Sequence, residues 1–236
     1  MTDTWTPQPG MQQFVIDSDI EDIFIGAGRG AGATDVAIAT WLKHRERAWP
    51  GASGLFIVRH PFQSQEIVRR MREIYEPTCP DFTRSETMFR WLDGSSLRIA
   101  NLHSDYHLRR LAGLSVDYLV FDNTDFWTTP DLVDELSLSV FGKSGVPCKR
   151  ILTGHPPADP KKLKDDWRYK RYVEDHLPLK PFTWDDPGSR TGKRTSVFVS
   201  ANVFGNEHLS GYEEKLRAVM DDGMRRAWLY GEWVTP

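Results

Sequence analysis

The chain has 236 residues, 39% hydrophobic and 27% charged, enough to bury a sizeable core in one large α/β domain or two small ones. Its formal net charge of −3 excludes a uniformly cationic nucleic-acid binder, so any DNA contact requires a local basic patch. The only two cysteines, Cys79 and Cys148, exclude a disulfide or zinc framework and suit a reducing compartment; we expect no secretory signal, and no apolar run approaches the length of a membrane span.

In chain order, residues 1–10 are polar and proline-containing and read as an extended arm. Gln12, Gln13 and Phe14 then stand just before the first strand. A glutamine amide there can read an adenine edge, since it carries both a donor and an acceptor; a solvated glutamine fits the same spacing. Ile23, Phe24 and Ile25 form a short apolar run, followed by Gly26, Gly28, Gly30 and Gly32 at alternate positions. Residues 34–49 read as a helix closed by Pro50 and Gly51.

Strand, glycine-rich turn and helix form the context in which backbone N–H groups and a helix N-terminus bind phosphate. Aligned on the P-loop pattern G-x-x-x-x-G-K-[ST], the turn reads Ala27, Gly28, Arg29, Gly30, Ala31, Gly32, Ala33, Thr34. The last glycine and the hydroxyl are in place for a nucleoside triphosphate with Mg²⁺. Ala27 replaces the first glycine, and Ala33 replaces the lysine that normally contacts the β- and γ-phosphates. A second reading is the dinucleotide fingerprint Gly26-x-Gly28-x-x-Ala31, with Arg59 meeting a 2′-phosphate. A third is a turn that binds nothing.

Residues 54–59 read as a buried strand, and residues 62–75 as a helix with Ile67, Met71, Ile74 and Tyr75 on one face. This alternation predicts an α/β fold with a mainly parallel sheet. Residues 78–84 read as a loop, and the runs at 88–92 and 96–102 flank Asp93-Gly94 as a hairpin. Residues 104–111 form a short basic segment whose His107, Arg109 and Arg110 are candidates for phosphate contact or an ordinary solvated face. Residues 116–121 are another buried strand, ending in Asp122 and Asn123. An acid at the carboxyl end of a parallel strand sits where such sheets place ligands, so Asp122 is a candidate Mg²⁺ holder or a strand-end turn residue. An amide such as Asn123 can hold a water but cannot take its proton near neutral pH. Residues 130–141 look helical, and 142–147 form a turn. A strand at 149–152 runs into Thr153, Gly154 and His155, where a polar group can sense a γ-phosphate or simply turn the chain. Residues 157–194 are the least readable, with many lysines and prolines. Residues 189–194 read as a basic loop, 197–201 as a strand, and Leu209, Tyr212, Leu216 and Val219 as one face of a helix.

Taken in order, these motifs resemble the ATPase domain of the large terminase subunit, the motor that packages DNA into tailed-phage and herpesvirus-type capsids. PQPGMQQF is similar to that family's adenine-side glutamine motif, best matched by Gln12, and GAGRGAGAT stands at its Walker A loop. LFIVRHPFQSQEIVRRM, FRWLDGSSLRIANL, HLRRLAGLSVDYLVFDN and ILTGHP resemble the following strand–helix, the hairpin, the Walker B strand and the coupling motif. NEHLSGYEEKLRAV with LYGEW resembles the segment that closes the domain. The resemblance implies a P-loop ATPase core over residues 1–156 and a closing subdomain over 157–236, with the family's nuclease domain absent. It implies ATP held by Gln12 and residues 27–34 and Mg²⁺ held by Thr34 and Asp122. Arg29 would act on phosphate charge, Asn123 would stand at the water, and Thr153 would couple hydrolysis to movement. It further implies double-stranded DNA, a portal protein and a small terminase subunit as partners. The motor would form a homo-oligomeric ring on the capsid, off the membrane, in the cytoplasm of an infected host and transiently at the procapsid portal.

Ala33, Asn123 and Gly205 depart from the family pattern, which has Lys, Glu and Asp there. Two origins fit: substitution to trap a nucleotide state, or a natural degenerate relative. The implied ATPase is therefore an impaired one, and the alternative is a non-catalytic, terminase-like assembly or DNA-binding subunit.

Overall fold

The computed structural model describes residues 5–48, 50–78, 80–111, 113–142, 148–186, 189, 191–206 and 211–233. Cys79, Leu209, most of the expected turn at 142–147 and the side chains of Tyr212, Leu216 and Val219 lie outside them.

Among the described residues the strands are β1 (Asp22–Ala27), β2 (Ser53–Val58), β3 (Asp81–Thr83), β4 (Met88–Arg90), β5 (Ser96–Asn101), β6 (Tyr118–Phe121), β7 (Lys149–Gly154), β8 (Phe182–Asp185) and β9 (Lys193–Ala201). They form one nine-stranded sheet in the order β3-β4-β5-β2-β6-β7-β1-β9-β8. The six central strands, β5 to β9 in that order, are parallel, and β3, β4 and β8 pair antiparallel at the edges. The α/β fold with a mainly parallel sheet is the one the sequence pattern implies.

The short apolar runs are buried on both faces because helices cover both, and alternate residues divide between two cores. Ile23 and Ile25 of β1, Phe56 and Val58 of β2, and Val197 and Val199 of β9 pack on the side of α2 (Ala33–Arg47) and α3 (Pro61–Tyr75). Phe24, Leu55, Ile57, Leu119, Phe121 and Phe198 face the other way, against Leu108, Val133, Trp127, Tyr172 and Trp233.

Three local elements differ from the sequence pattern or add to it. Residues 11–17, where the sequence set Gln12, Gln13 and Phe14 ahead of the first strand without assigning an element, form a helix, α1 (Met11–Asp17). Val15 is fully buried, and Met11 and Phe14 pack on the same core, so one face pays off only when wound at helical spacing. Residues 81–83 are a strand rather than a loop, because the hairpin edge β4 offers them a ladder. The strand expected at 197–201 begins at Lys193 and pairs parallel with β1 along Asp22–Ala27, so residues after 157 add two strands to the same sheet.

Strand order also decides between the two glycine-loop readings. In a dinucleotide-binding half the first two strands lie side by side. Here β6 and β7 stand between β1 and β2, so the Gly26-x-Gly28-x-x-Ala31 reading does not hold.

One polar network lies within the second core. Asp22, at the start of β1, is fully buried and accepts from Arg150 Nε at 2.6 Å, Ser196 Oγ at 2.5 Å and Tyr172 OH at 3.2 Å. It ties β1, β7 and β9 to the chain after residue 157. No helix among the described residues is long and apolar enough to cross a membrane.

Candidate functional site

The carboxyl ends of β1, β6 and β7 open onto a cleft of about 830 Å³. Its floor is the glycine loop between β1 and α2. Gly30 and Gly32 hold φ of 81° and 83°, a left-handed backbone that lets the loop reverse direction into the helix. The N–H groups of Gly28 and Arg29 are already used, donating to Ala201 O at 2.8 Å and Trp228 O at 2.6 Å. Those of Gly30, Gly32, Ala33 and Thr34 donate to no acceptor among the described residues, and all four residues line the cleft. The Ala31 N–H between them donates to Gly28 O at 3.3 Å. Unpaired amides gathered at a helix N-terminus offer donors to an anion.

Beneath the loop, Thr34 Oγ1 donates to Asp122 Oδ1 at 2.8 Å, and Thr153 Oγ1 donates to the same oxygen at 2.8 Å. Asn123 Nδ2 donates to Asp122 Oδ2 at 3.0 Å, and the Asn123 N–H donates to Thr153 Oγ1 at 2.9 Å. Asn123 itself sits in the left-handed region (φ 57°, ψ 62°), which Asn tolerates better than most residues. Burial pushes the Asp122 carboxyl above the ordinary range; the threonine hydroxyls and nearby His155 pull it back, while Asp125 pushes it further up.

A carboxylate raised in this way is stabilising when protonated. Its contribution is complete below the unfolded-chain value of about 3.9 and is lost as pH rises through the folded value. Asp122 therefore contributes less stability at neutral pH than in acid. Asp122→Asn, whose amide oxygen still accepts from both threonines and whose new NH2 requires the Asn123 amide to turn its oxygen inward, should raise the unfolding midpoint at pH 7 by about 2–4 °C for each kcal/mol recovered. The same variant should lose any stabilisation by Mg²⁺ with nucleotide, and thermal melts with and without MgATP check both signs.

The remaining walls were not legible in the sequence. Trp5 and Thr6 of the expected arm, Arg70, Glu73 and Ile74 of α3, and Asn206 line the cleft. Arg70 is held by Asp35 at 2.8 and 2.6 Å and by Glu73 at 2.8 Å. Gln12 is buried, its Oε1 accepting from the Gln8 N–H at 3.0 Å. Arg29 lies at the cleft with its guanidinium 3.6 Å from the Trp228 ring centroid. Ala27 is buried under the loop, and Ala31, Ala33 and Thr153 line the cleft with Asn123. Arg59, His107, Arg109 and Arg110 are not among the lining residues.

The chain's last described residues clamp the loop. Trp233 Nε1 donates to Gly26 O at 3.1 Å, and the Trp233 ring meets Phe24 edge-on at 5.3 Å. A Cβ on Gly28 would fall 2.8 Å from Trp228 O and 2.9 Å from Leu229 O, so this glycine admits the clamp rather than a ligand.

The donor set suits a hard, oxygen-preferring ion: one carboxylate and one hydroxyl at the loop. No group of three His, Cys, Asp or Glu among the described residues forms a protein-only metal site. Mg²⁺, which keeps waters and relies on substrate phosphates, fits so sparse a set.

No family model and no curated protein sequence matches the chain. Solved structures do. The large terminase of a thermophilic bacteriophage superposes with a TM-score of 0.71 at 13% identity, over 97% of this chain and 54% of that one. The large terminase ATPase domain of Thermus phage P74-26 gives 0.66 at 14% identity, over 98% and 95%. The HK97 bacteriophage large terminase gives 0.60 at 13% identity, over 97% and 51%. The chain thus spans about half of the two longer large-terminase chains and nearly all of the isolated ATPase domain. The first of these terminases has also been solved with ADP and with ATP-gamma-S. The fold is that of the large terminase ATPase domain.

Proposed function

We propose that the chain is a MgATP-binding ATPase domain of a viral DNA-packaging motor of the large-terminase type, with weak hydrolytic power. The observation that carries this reading is the set of unpaired amides of Gly30, Gly32, Ala33 and Thr34 beside the Thr34–Asp122 pair. The unpaired loop N–H groups donate to phosphate oxygens. Thr34 and Asp122 hold the metal between hydroxyl and carboxylate, and Thr153, sharing Asp122 Oδ1, registers whether that metal is present. Mg²⁺ held by Thr34 and Asp122 would supply positive charge against the nucleotide phosphates. Trp5, Thr6 and Gln12 also line the cleft, and Gln12 can meet the base through its amide.

Weak hydrolysis follows from the cations. Ala33 carries none, Arg29 stacks on Trp228, and Arg70 is neutralised by Asp35 and Glu73. The same engagement supports the second reading, a nucleotide-binding subunit that assembles or binds DNA without turnover. In the motor reading residues 1–156 carry the glycine loop, Asp122 and Thr153, and residues 157–236 close the domain while adding β8 and β9 to the same sheet. The partners are double-stranded DNA, a portal protein, a small terminase subunit and further copies in a ring, acting in the cytoplasm of the infected host. Steady-state phosphate release with and without double-stranded DNA separates the two: DNA-stimulated release supports the motor, and nucleotide binding without release supports the subunit.

A further inference from the structure

Asn123 supplies no group that can take a proton from water near neutral pH, and the cleft also holds a histidine. His155 follows the Thr153–Gly154 end of β7 and lines the cleft beside Asn123 and Thr153. Its Nδ1 lies 2.7 Å from Ala27 O. A carbonyl oxygen only accepts, so Nδ1 carries the hydrogen and the neutral ring keeps its lone pair on Nε2. The backbone is fixed as well: the His155 N–H donates to Asp125 Oδ1 at 3.2 Å, Asp125 is held by Arg168 at 3.1 Å, and Pro156 limits the chain that follows. His155 is close enough to influence the charge of Asp122.

The other basic groups at the cleft are engaged. Asp35 and Glu73 are bound to Arg70, Asp125 to Arg168, and Asp122 accepts from two threonines and Asn123. Nε2 of His155 has no hydrogen-bond partner among the described residues. An oriented imidazole with one nitrogen pinned and the other free is the arrangement of a general base.

We propose that His155 is the general base of this site, acting in place of the carboxylate that Asn123 lacks; this rests on the nucleotide reading above. Nε2 takes a proton from the attacking water as the water oxygen bonds to the γ-phosphorus. The bond from that phosphorus to the β–γ bridging oxygen breaks, leaving ADP and inorganic phosphate. The imidazolium then returns its proton to phosphate or solvent, so ATP and water give ADP, phosphate and one proton.

The test has three readouts on the full chain. Long-range ¹H–¹⁵N NMR on the free protein should show His155 with hydrogen on Nδ1; hydrogen on Nε2 overturns the proposal. Titration with a fluorescent ATP analogue should give affinities within about twofold for the chain, His155→Ala and His155→Gln. Single-turnover hydrolysis should fall on the order of a hundredfold in both variants. Gln retains a donor for Ala27 O but no basic nitrogen, so a His155→Gln variant that keeps its rate makes the role structural and refutes the proposal. Nucleotide bound by the chain without any turnover refutes it too. If no nucleotide binds, the nucleotide reading fails and takes the base with it.

Discussion

Ala33→Lys should tighten MgATP binding by about 10- to 100-fold, the worth of one charge-assisted hydrogen bond to phosphate. Residue 33 is the first of α2, lies on the cleft wall and has its own N–H unpaired, so an ammonium from it reaches the anion the loop amides receive. Turnover should rise by on the order of a hundredfold, because phosphoryl transfer is governed by positioning and charge stabilisation. Stability should move oppositely in the absence of nucleotide. A cation in the first turn opposes the helix dipole at a cost of about 0.3–1 kcal/mol, so the free variant should melt slightly lower and the MgATP-bound variant higher. Asn123→Glu should recover less. Position 123 has φ of 57°, where a longer side chain without Asn's local bonding is strained, and a second carboxylate beside buried Asp122 repels it. Isothermal titration and melting of the two single variants and their combination check this order.

Asp22→Ala should be the most damaging single truncation outside the cleft. Asp22 and Arg150 are respectively 0% and 1% exposed, and removing the acid leaves a guanidinium buried without its counter-ion. Breaking such a pair costs about 3–5 kcal/mol, on the order of 10 °C in melting temperature at this length. Two hydroxyls, on Tyr172 and Ser196, lose their acceptor at the same time. Burial alone would raise the Asp22 carboxyl; Arg150, Arg194 and the Ser196 hydroxyl overcome it and hold the carboxyl below the usual range. A depressed carboxylate contributes stability above the unfolded value of about 3.9 and loses it as pH falls through the folded value. Urea unfolding should therefore show a lower midpoint for Asp22→Ala at pH 7, a difference that shrinks as the solution is acidified. Asp22→Leu combined with Arg150→Met should recover much of the loss, since an apolar pair of similar volume carries no desolvation cost.

The central sheet was legible because β1, β2, β6 and β7 are short apolar runs bounded by turns, a local signal. The glycine loop and Asp122 were legible for the same reason: each motif lies within a few residues of its strand. What escaped the sequence depends on distant partners. Residues 81–83 are a strand only because β4 lies beside them, and β9 starts early only because β1 offers it a ladder. Gly28 reads as a phosphate glycine, yet its amide is taken by Ala201 and its missing side chain makes room for residues 228–229. Arg29 reads as a loop cation, and Trp228, far along the chain, stacks against it. His155 was visible as a residue of T-G-H-P, but its free nitrogen is defined by a carbonyl on β1 that no local pattern reveals.

The most direct measurement is titration of a fluorescent ATP analogue in the presence and absence of Mg²⁺, with unlabelled ATP and NAD as competitors. A MgATP site gives saturable, Mg²⁺-dependent binding that ATP displaces, NAD leaves unchanged and Asp122→Asn abolishes. Absence of saturable binding, or displacement by NAD as readily as by ATP, would contradict it.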